Sequence, residues 1–80
     1  MKLALVFKAL SDETRQQIVW MLGKKDMSAG EIATFFNMAQ ASVSHHLGVL
    51  KSADLVMARR QGQRILYSLN GHLIEECFNS

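Results

Sequence analysis

The apolar residues of this chain recur mainly at intervals of three and four, which is the period of an amphipathic α-helix. Five segments follow this period, and between the fourth and the fifth the pattern changes to one typical of β-strands. We therefore predict five helices: residues 1–10, Ser11 to about Leu22, Ser28 to Phe36, Gln40 to Ala53, and Asn70 to residue 80.

Side chains at the predicted helix ends support these boundaries. Ser11 precedes two acidic residues, which are favourable at the positive end of a helix dipole, so we predict Ser11 as the N-cap of the second helix. Ser28 and Glu31 have the spacing of a capping box at the start of the third helix. That helix is expected to bury Ile32 and Phe35, with Phe36 as a further candidate.

The third and fourth helices are separated by a tight turn and so form a helix-turn-helix unit. In the fourth helix Val43, Leu47 and Leu50 fall on one apolar stripe. Its other faces offer Gln, Ser and His side chains, which donate and accept hydrogen bonds as base edges in a DNA major groove require. A purely solvating role for these side chains is the alternative.

After residue 54 the chain contains two six-residue runs, 55–60 and 64–69, with the content of β-strands. Gly62 lies between them and can supply the positive φ of a hairpin turn. In the second run Ile65, Tyr67 and Leu69 alternate onto one face. The predicted fold class is mainly α with a β-hairpin wing: one winged helix-turn-helix domain over residues 1–80, in the order α-α-α-α-β-β-α.

Composition adds an expectation of self-association and a mild preference for polyanions. Hydrophobic residues make up 49% of only 80 residues, which is more than one small core is expected to bury. The net charge is +2, and Arg59, Arg60 and Arg64 lie near the predicted wing tip. A single cysteine allows no internal disulfide, and Lys8 interrupts the opening apolar run. We expect a cytoplasmic protein with no membrane insertion.

Four segments together resemble the ArsR-type winged helix-turn-helix repressors of bacteria and archaea, in the branch of short members without a metal site. These segments are LSDETRQQIVWML, AGEIA, QASVSHHLGVLKSADLV and RRQGQRILYSLN, and the resemblance covers roughly Phe7 to Asn70. It implies a nucleoid-associated repressor that binds an inverted repeat in double-stranded DNA as a homodimer. The genes that it represses are expected to include its own. The interface implied by the first and last helices comprises Leu3, Val6, Phe7, Leu10, Leu73, Ile74, Cys77 and Phe78.

The same resemblance assigns residues to DNA. The major-groove contacts fall on Gln40, Ser44 and His45, with Ala41 and Ser42 adjacent. Contacts of the wing and with the DNA backbone fall on Lys51, Arg59, Arg60, Gln63 and Arg64. His46 is interpreted as a packed, hydrogen-bonded residue at the core edge. Where family members commonly have a Ser cap, this chain has Ala39, and its recognition helix must form without that cap.

Metal sensing is disfavoured, and no cofactor is expected. The thiolates of the thiol-type sensors in this family would fall at Ser28 and Gly30, which cannot replace them. The other family site would retain only His72, although His72 with the Glu75 and Glu76 pair could still meet across a dimer.

Three further alternatives differ in weight. Cys77 is most simply a small packed side chain, but an intersubunit disulfide stays open. An enzyme is discounted because the chain has no phosphate-binding loop, nucleophile elbow or paired carboxylates. A winged-helix module that binds a protein instead of DNA remains the main rival. The inducer, whether a small ligand, an oxidant or a partner protein, is not specified by the sequence.

Overall fold

The structure is a computed structural model that describes the backbone of residues 3–79 and the side chains of residues 3–76. Within these residues the elements follow the predicted order, with one additional short strand. They are α1 (Leu3–Ala9), α2 (Glu13–Leu22), β1 (Met27–Ser28), α3 (Ala29–Phe36), α4 (Gln40–Ser52), β2 (Val56–Gln61), β3 (Arg64–Leu69) and α5 (Gly71–Asn79). The mainly α fold with a β-hairpin wing is confirmed.

The additional strand, β1, connects the wing to the helices. Met27 pairs with Tyr67 and Ser28 with Leu66 in antiparallel register, so the order in the sheet is β1-β3-β2. Two residues are too few to display an alternating pattern, which is why the sequence did not reveal this strand. Because Ser28 is also the N-cap of α3, the pairing holds the wing against the start of the helix-turn-helix.

The predicted hairpin is confirmed, although β2 begins and ends one residue later than expected. Gly62 in its two-residue turn has a φ of +64°, a conformation in which a side chain would be strained. Tyr67 and Leu69 pack against the helical core as their alternation predicted. Ile65 shares that face but lies near the wing tip, beyond the core, and is exposed.

The N-cap of α2 is Asp12, and the assignment of Ser11 to this position was wrong. Asp12 has extended backbone, and its Oδ2 accepts a hydrogen bond from the N–H of Arg15 at 3.0 Å. Ser11 instead donates its hydroxyl to the carbonyl of Lys8 at 2.6 Å, within the turn that ends α1. Ser and Asp are both good N-cap residues, and Ser11 and Asp12 are adjacent. The sequence therefore located the start of α2 only to within one residue.

The predicted starts of α3 at Ser28 and of α5 at Asn70 are confirmed, whereas the predicted ends at residues 1 and 80 lie outside the described residues. The N–H of Ser28 donates to Glu31 Oε1 at 2.9 Å and the N–H of Glu31 donates to Ser28 Oγ at 3.2 Å, which completes the capping box. Asn70 caps α5 through its Oδ1, which accepts from the N–H of Leu73. Its Nδ2 also donates to the carbonyl of Asp54, so one side chain connects the bend after α4 to the start of α5.

One core unites the helices with the base of the wing, and the apolar stripe of α4 lies at its centre. Val43, Leu47 and Leu50 are all buried, as predicted. They pack with α1, α2, α3 and β2, and the other fully buried large side chains are Ile18, Ile32, Leu55 and Val56. The core therefore determines which face of α4 points away from the protein.

Phe35 is 67% exposed, so the prediction that it is buried was wrong. The buried stripe of α3 contains Ile32, Ala33 and the half-buried Phe36, and Phe35 lies beyond its edge. Phe35 packs edge-on against the Phe36 ring at a centroid distance of 5.3 Å. It also borders an open groove with the exposed Trp20.

The apolar surface of α1 is divided between the core and solvent. Val6 is buried within the subunit, and Leu10 is half-buried, whereas Leu3 and Phe7 are 48% and 66% exposed. In α5 Leu73 is buried and Ile74 is half-buried against the core, while Cys77 and Phe78 lie outside the described side chains. None of the described helices is long and apolar enough to cross a membrane.

Two substitutions in α4 should separate its buried and exposed faces. Leu50→Ala removes a side chain with 0% exposure and should lower the free energy of unfolding by about 2–5 kcal/mol. Gly48→Ala, two residues away, adds a Cβ with no atom within 4 Å and should raise it by up to about 1 kcal/mol. Urea denaturation would measure both changes. A similar loss in both variants would contradict the assignment of the two faces.

Candidate nucleic-acid interface

The face of α4 opposite its buried stripe presents the polar residues assigned to the major groove. Those assigned residues are all exposed: Gln40, Ala41, Ser42, Ser44 and His45. The helix begins without a side-chain cap, because Ala39 at the N-cap makes no such hydrogen bond. Packing of the apolar stripe therefore holds the helix in place, as expected.

The wing lies opposite the N-terminal end of this face across a cleft of about 430 Å³. Gln40 and Ser44 border the cleft on the α4 side, and Gln63 and Arg64 border it on the wing side. The structure thus brings four of the predicted residues together in one place. Lys51 is exposed in the last turn of α4 and does not line the cleft.

Two of the three wing arginines form ion pairs with acidic residues that the sequence did not single out. Arg59 Nη1 lies 2.8 Å from Asp26 Oδ2, and Arg64 Nη2 lies 2.6 Å from Glu31 Oε1. Arg60 forms no ion pair within the described part of the chain, and its Nε donates to the carbonyl of Gly62. These acids come close to the wing through the β1–β3 pairing, so the missed strand also concealed the ion pairs.

His46 is half-buried and connects α4 to the preceding helices, as its packed interpretation predicted. Its Nδ1 lies 3.3 Å from Arg15 Nη1 and 3.8 Å from Asp12 Oδ2. Arg15 also donates through Nε to the carbonyl of Ala9 at 2.7 Å, near the end of α1. The exposed His45 lies beside this cluster, and its ring tilts by 58° from that of His46. The cluster holds the exposed polar face of α4 at a defined orientation to α1 and α2.

The pKa values of the two helix-capping carboxylates are lowered. Asp12 accepts a hydrogen bond from the backbone N–H of Arg15, which is the largest cause of its pKa lying below 3.8. The N–H of Ser28 is the largest cause for Glu31, whose pKa lies below 4.5, with a smaller contribution from the positive charge of Arg64. Both carboxylates are therefore ionised at neutral pH.

The residues at the start of α3 do not fit a thiolate metal site. Ser28 uses its hydroxyl and backbone in the capping box, and Gly30 has no side chain to offer. Among the described residues, no group of three His, Cys, Asp or Glu side chains is close enough together to hold a metal ion.

Comparison with known proteins agrees with this geometry. A family model described as a helix-turn-helix domain matches residues 10–59, more than half of the chain. The transcriptional repressor SdpR of Bacillus subtilis is 47% identical over 74 residues, covering 92% of this chain and 82% of that protein. An ArsR-like transcriptional regulator from Rhodococcus superposes with a TM-score of 0.86 and 38% identity, over 92% of this chain and 70% of its own. The chain belongs to the ArsR-type winged helix-turn-helix family.

A second solved structure has the same architecture. The homodimeric winged helix-turn-helix DNA-binding domain Mb0332 of Mycobacterium bovis has a TM-score of 0.86 and 36% identity, over 96% of this chain and 71% of its own. Membership in the ArsR family makes this chain a DNA-binding transcription regulator and not an enzyme. The exposed polar face of α4 is its candidate recognition surface.

The stability of this ArsR-type protein should decrease in acid because two caps lose their charge. A carboxylate with a lowered folded-state pKa stabilises the fold above its unfolded-state pKa, and this contribution is lost as pH falls through the folded-state value. The free energy of unfolding should thus fall below about pH 4.5. The variants Asp12→Asn and Glu31→Gln keep a neutral capping group. In each of them, denaturation at successive pH values should show a smaller decrease in the free energy of unfolding in acid than in the unaltered protein. An unchanged decline in both variants would contradict this assignment.

Proposed function

We propose that this chain is a transcriptional repressor that binds an inverted-repeat operator as a homodimer, independently of a metal ion, and represses genes that include its own. The observation that carries the proposal is the polar face of α4, whose opposite stripe is fully buried and whose N-terminal end faces Arg64 of the wing across the cleft. SdpR, the relative with 47% identity, is itself named a repressor. The proposed location is the cytoplasm of a prokaryote, in association with the nucleoid.

The proposed dimer uses α1 and α5. Leu3, Leu5 and Phe7 on α1 are exposed apolar side chains, and burying them against a second copy would remove this surface from water. Val6 and Leu73 contribute indirectly, since they are buried in the subunit's own core and hold α1 and α5 there. A two-fold dimer would place two α4 helices in successive major grooves about 34 Å apart.

Each recognition residue has a role that fits its chemistry. Gln40 can form two hydrogen bonds with adenine, and Ser44 and His45 can contact a base edge or a phosphate. Ala41 is suited to the methyl group of thymine. Arg60 and Lys51 supply positive charge for the DNA backbone, which stabilises binding to any sequence.

Metal independence rests on the chemistry at the start of α3. Ser28 and Gly30 occupy the positions where thiol-type sensors of this family carry their ligands, and neither residue binds a metal ion as a thiolate does. The capping box also occupies the hydroxyl and the backbone N–H of Ser28.

Selection of bound DNA from a random pool, at physiological salt and with EDTA, tests this function directly. We expect an inverted repeat with half-sites about one helical turn apart. On that operator His45→Ala should cost about 1–3 kcal/mol and relax the preference at particular base pairs. Arg60→Ala should weaken binding to all sequences alike and reduce the salt slope by about 1 for each phosphate that the variant no longer neutralises.

Two outcomes would contradict the proposal in different ways. Failure to enrich any sequence would favour a module that binds proteins. Enrichment of an operator whose affinity does not change when Gln40, Ser44 and His45 are all replaced by Ala would refute the assignment of α4 as the recognition helix.

The dimer surface can be tested with two equally exposed phenylalanines. Phe7→Glu places a charge on the proposed interface and should raise the dimer dissociation constant by about tenfold or more. Phe35→Glu makes the same change on α3, at 67% exposure, and should leave the dimer intact. Sedimentation equilibrium measures both. If Phe35→Glu dissociates the dimer and Phe7→Glu does not, the assignment of the interface to α1 is wrong.

A further inference from the structure

The ion pairs of the wing involve the two arginines that lie on one face of its sheet. Cross-strand register places Arg59 opposite Leu66, and Leu66 opposite Ser28, so Arg59 and Arg64 share the face with Leu66. This is the face opposite to the one that Tyr67 presents to the core. Asp26 and Glu31, one on each side of Ser28, hold the two guanidinium groups at 2.8 and 2.6 Å.

Both pairs are exposed enough to exchange partners. The side chains of Arg59 and Asp26 are 56% and 35% exposed, and those of Arg64 and Glu31 are 57% and 42% exposed. Exposed ion pairs contribute little net stability because water and salt screen them. A DNA phosphate offers the same guanidinium group an anionic oxygen acceptor, which can also be contacted in bidentate geometry.

We propose that Asp26 and Glu31 are positioning residues that compete with DNA phosphates for Arg59 and Arg64 and thereby limit the affinity and the salt dependence of DNA binding. In the free protein each carboxylate forms an ion pair with its arginine. On DNA, Arg59 and Arg64 transfer to phosphates, and the carboxylates regain solvent and cations. This inference rests on the proposed DNA-binding function.

The proposed competition predicts the direction in which the salt dependence of DNA binding changes when a carboxylate is removed. Each phosphate neutralised by a free cationic side chain releases counterions and adds about −0.9 to the slope of log K against log salt. An arginine that leaves a carboxylate to reach a phosphate gives a smaller net release, because the freed carboxylate takes up a cation. Removing the carboxylate charge should therefore steepen the slope as well as tighten binding.

Glu31→Gln isolates this effect because glutamine also serves in a capping box. We expect DNA to bind about two- to fivefold more tightly at 0.1 M salt, with a slope steeper by up to about 0.9 per subunit. Glu13→Gln is the matched control, since it removes one negative charge from an exposed residue in the first turn of α2. It should change neither quantity to a comparable extent.

A double-mutant cycle tests whether Glu31 acts through Arg64. In an Arg64→Gln background, the additional Glu31→Gln change should no longer tighten binding or steepen the slope. General repulsion between Glu31 and DNA would instead persist without Arg64, and that result would overturn the inference. Asp26→Asn, measured with and without Arg59→Gln, repeats the cycle at a position that is not part of a helix cap.

The competition and the DNA-binding function can fail separately. If the unaltered protein binds its operator and Arg60→Ala weakens that binding, but neither cycle shows coupling, the competition is refuted and the DNA-binding function stands. If the unaltered protein binds no DNA at any salt concentration, both are refuted.

Discussion

Burial of the apolar stripe of α4 is the constraint on which the candidate function depends. Val43, Leu47 and Leu50 insert between α1, α2, α3 and the base of the wing. A helix that buries one stripe in this way has no freedom to rotate about its axis, because rotation would expose the stripe and bury polar groups without partners. The outward orientation of Ser44 and His45 is therefore a consequence of the core.

Polar contacts at the edge of that core fix α4 relative to α1. Arg15 donates a hydrogen bond to the carbonyl of Ala9 and lies beside the imidazole of His46. Asp12, the N-cap of α2, lies near the same imidazole. If α1 forms the proposed dimer contact, this cluster lies between the contact and the recognition face. The spacing of two recognition helices would then depend on a few partly buried hydrogen bonds as well as on hydrophobic packing.

The sequence predicted those features that depend on local pattern. The α4 stripe extends over about two helical turns, and the capping box of Ser28 and Glu31 needs only one turn, so both were predicted correctly. The two-residue β1 strand was missed because its partner β3 is almost forty residues away, and no local pattern identifies such a pairing. Phe35 was misplaced because a three-residue spacing from Ile32 is compatible with either side of the stripe boundary.

The charges of the candidate site were the least predictable part, since they depend on the missed strand. The sequence places three arginines near the wing tip, but it does not show that Asp26 and Glu31 approach two of them once β1 pairs with β3. A net charge of +2 contains no information about such pairing. In the proposed competition, the charge available to DNA depends on how easily each arginine exchanges a carboxylate for a phosphate. Because exposed ion pairs are weak, the proposed exchange would lower DNA affinity only severalfold, so a wing that contains these acids could still attract DNA.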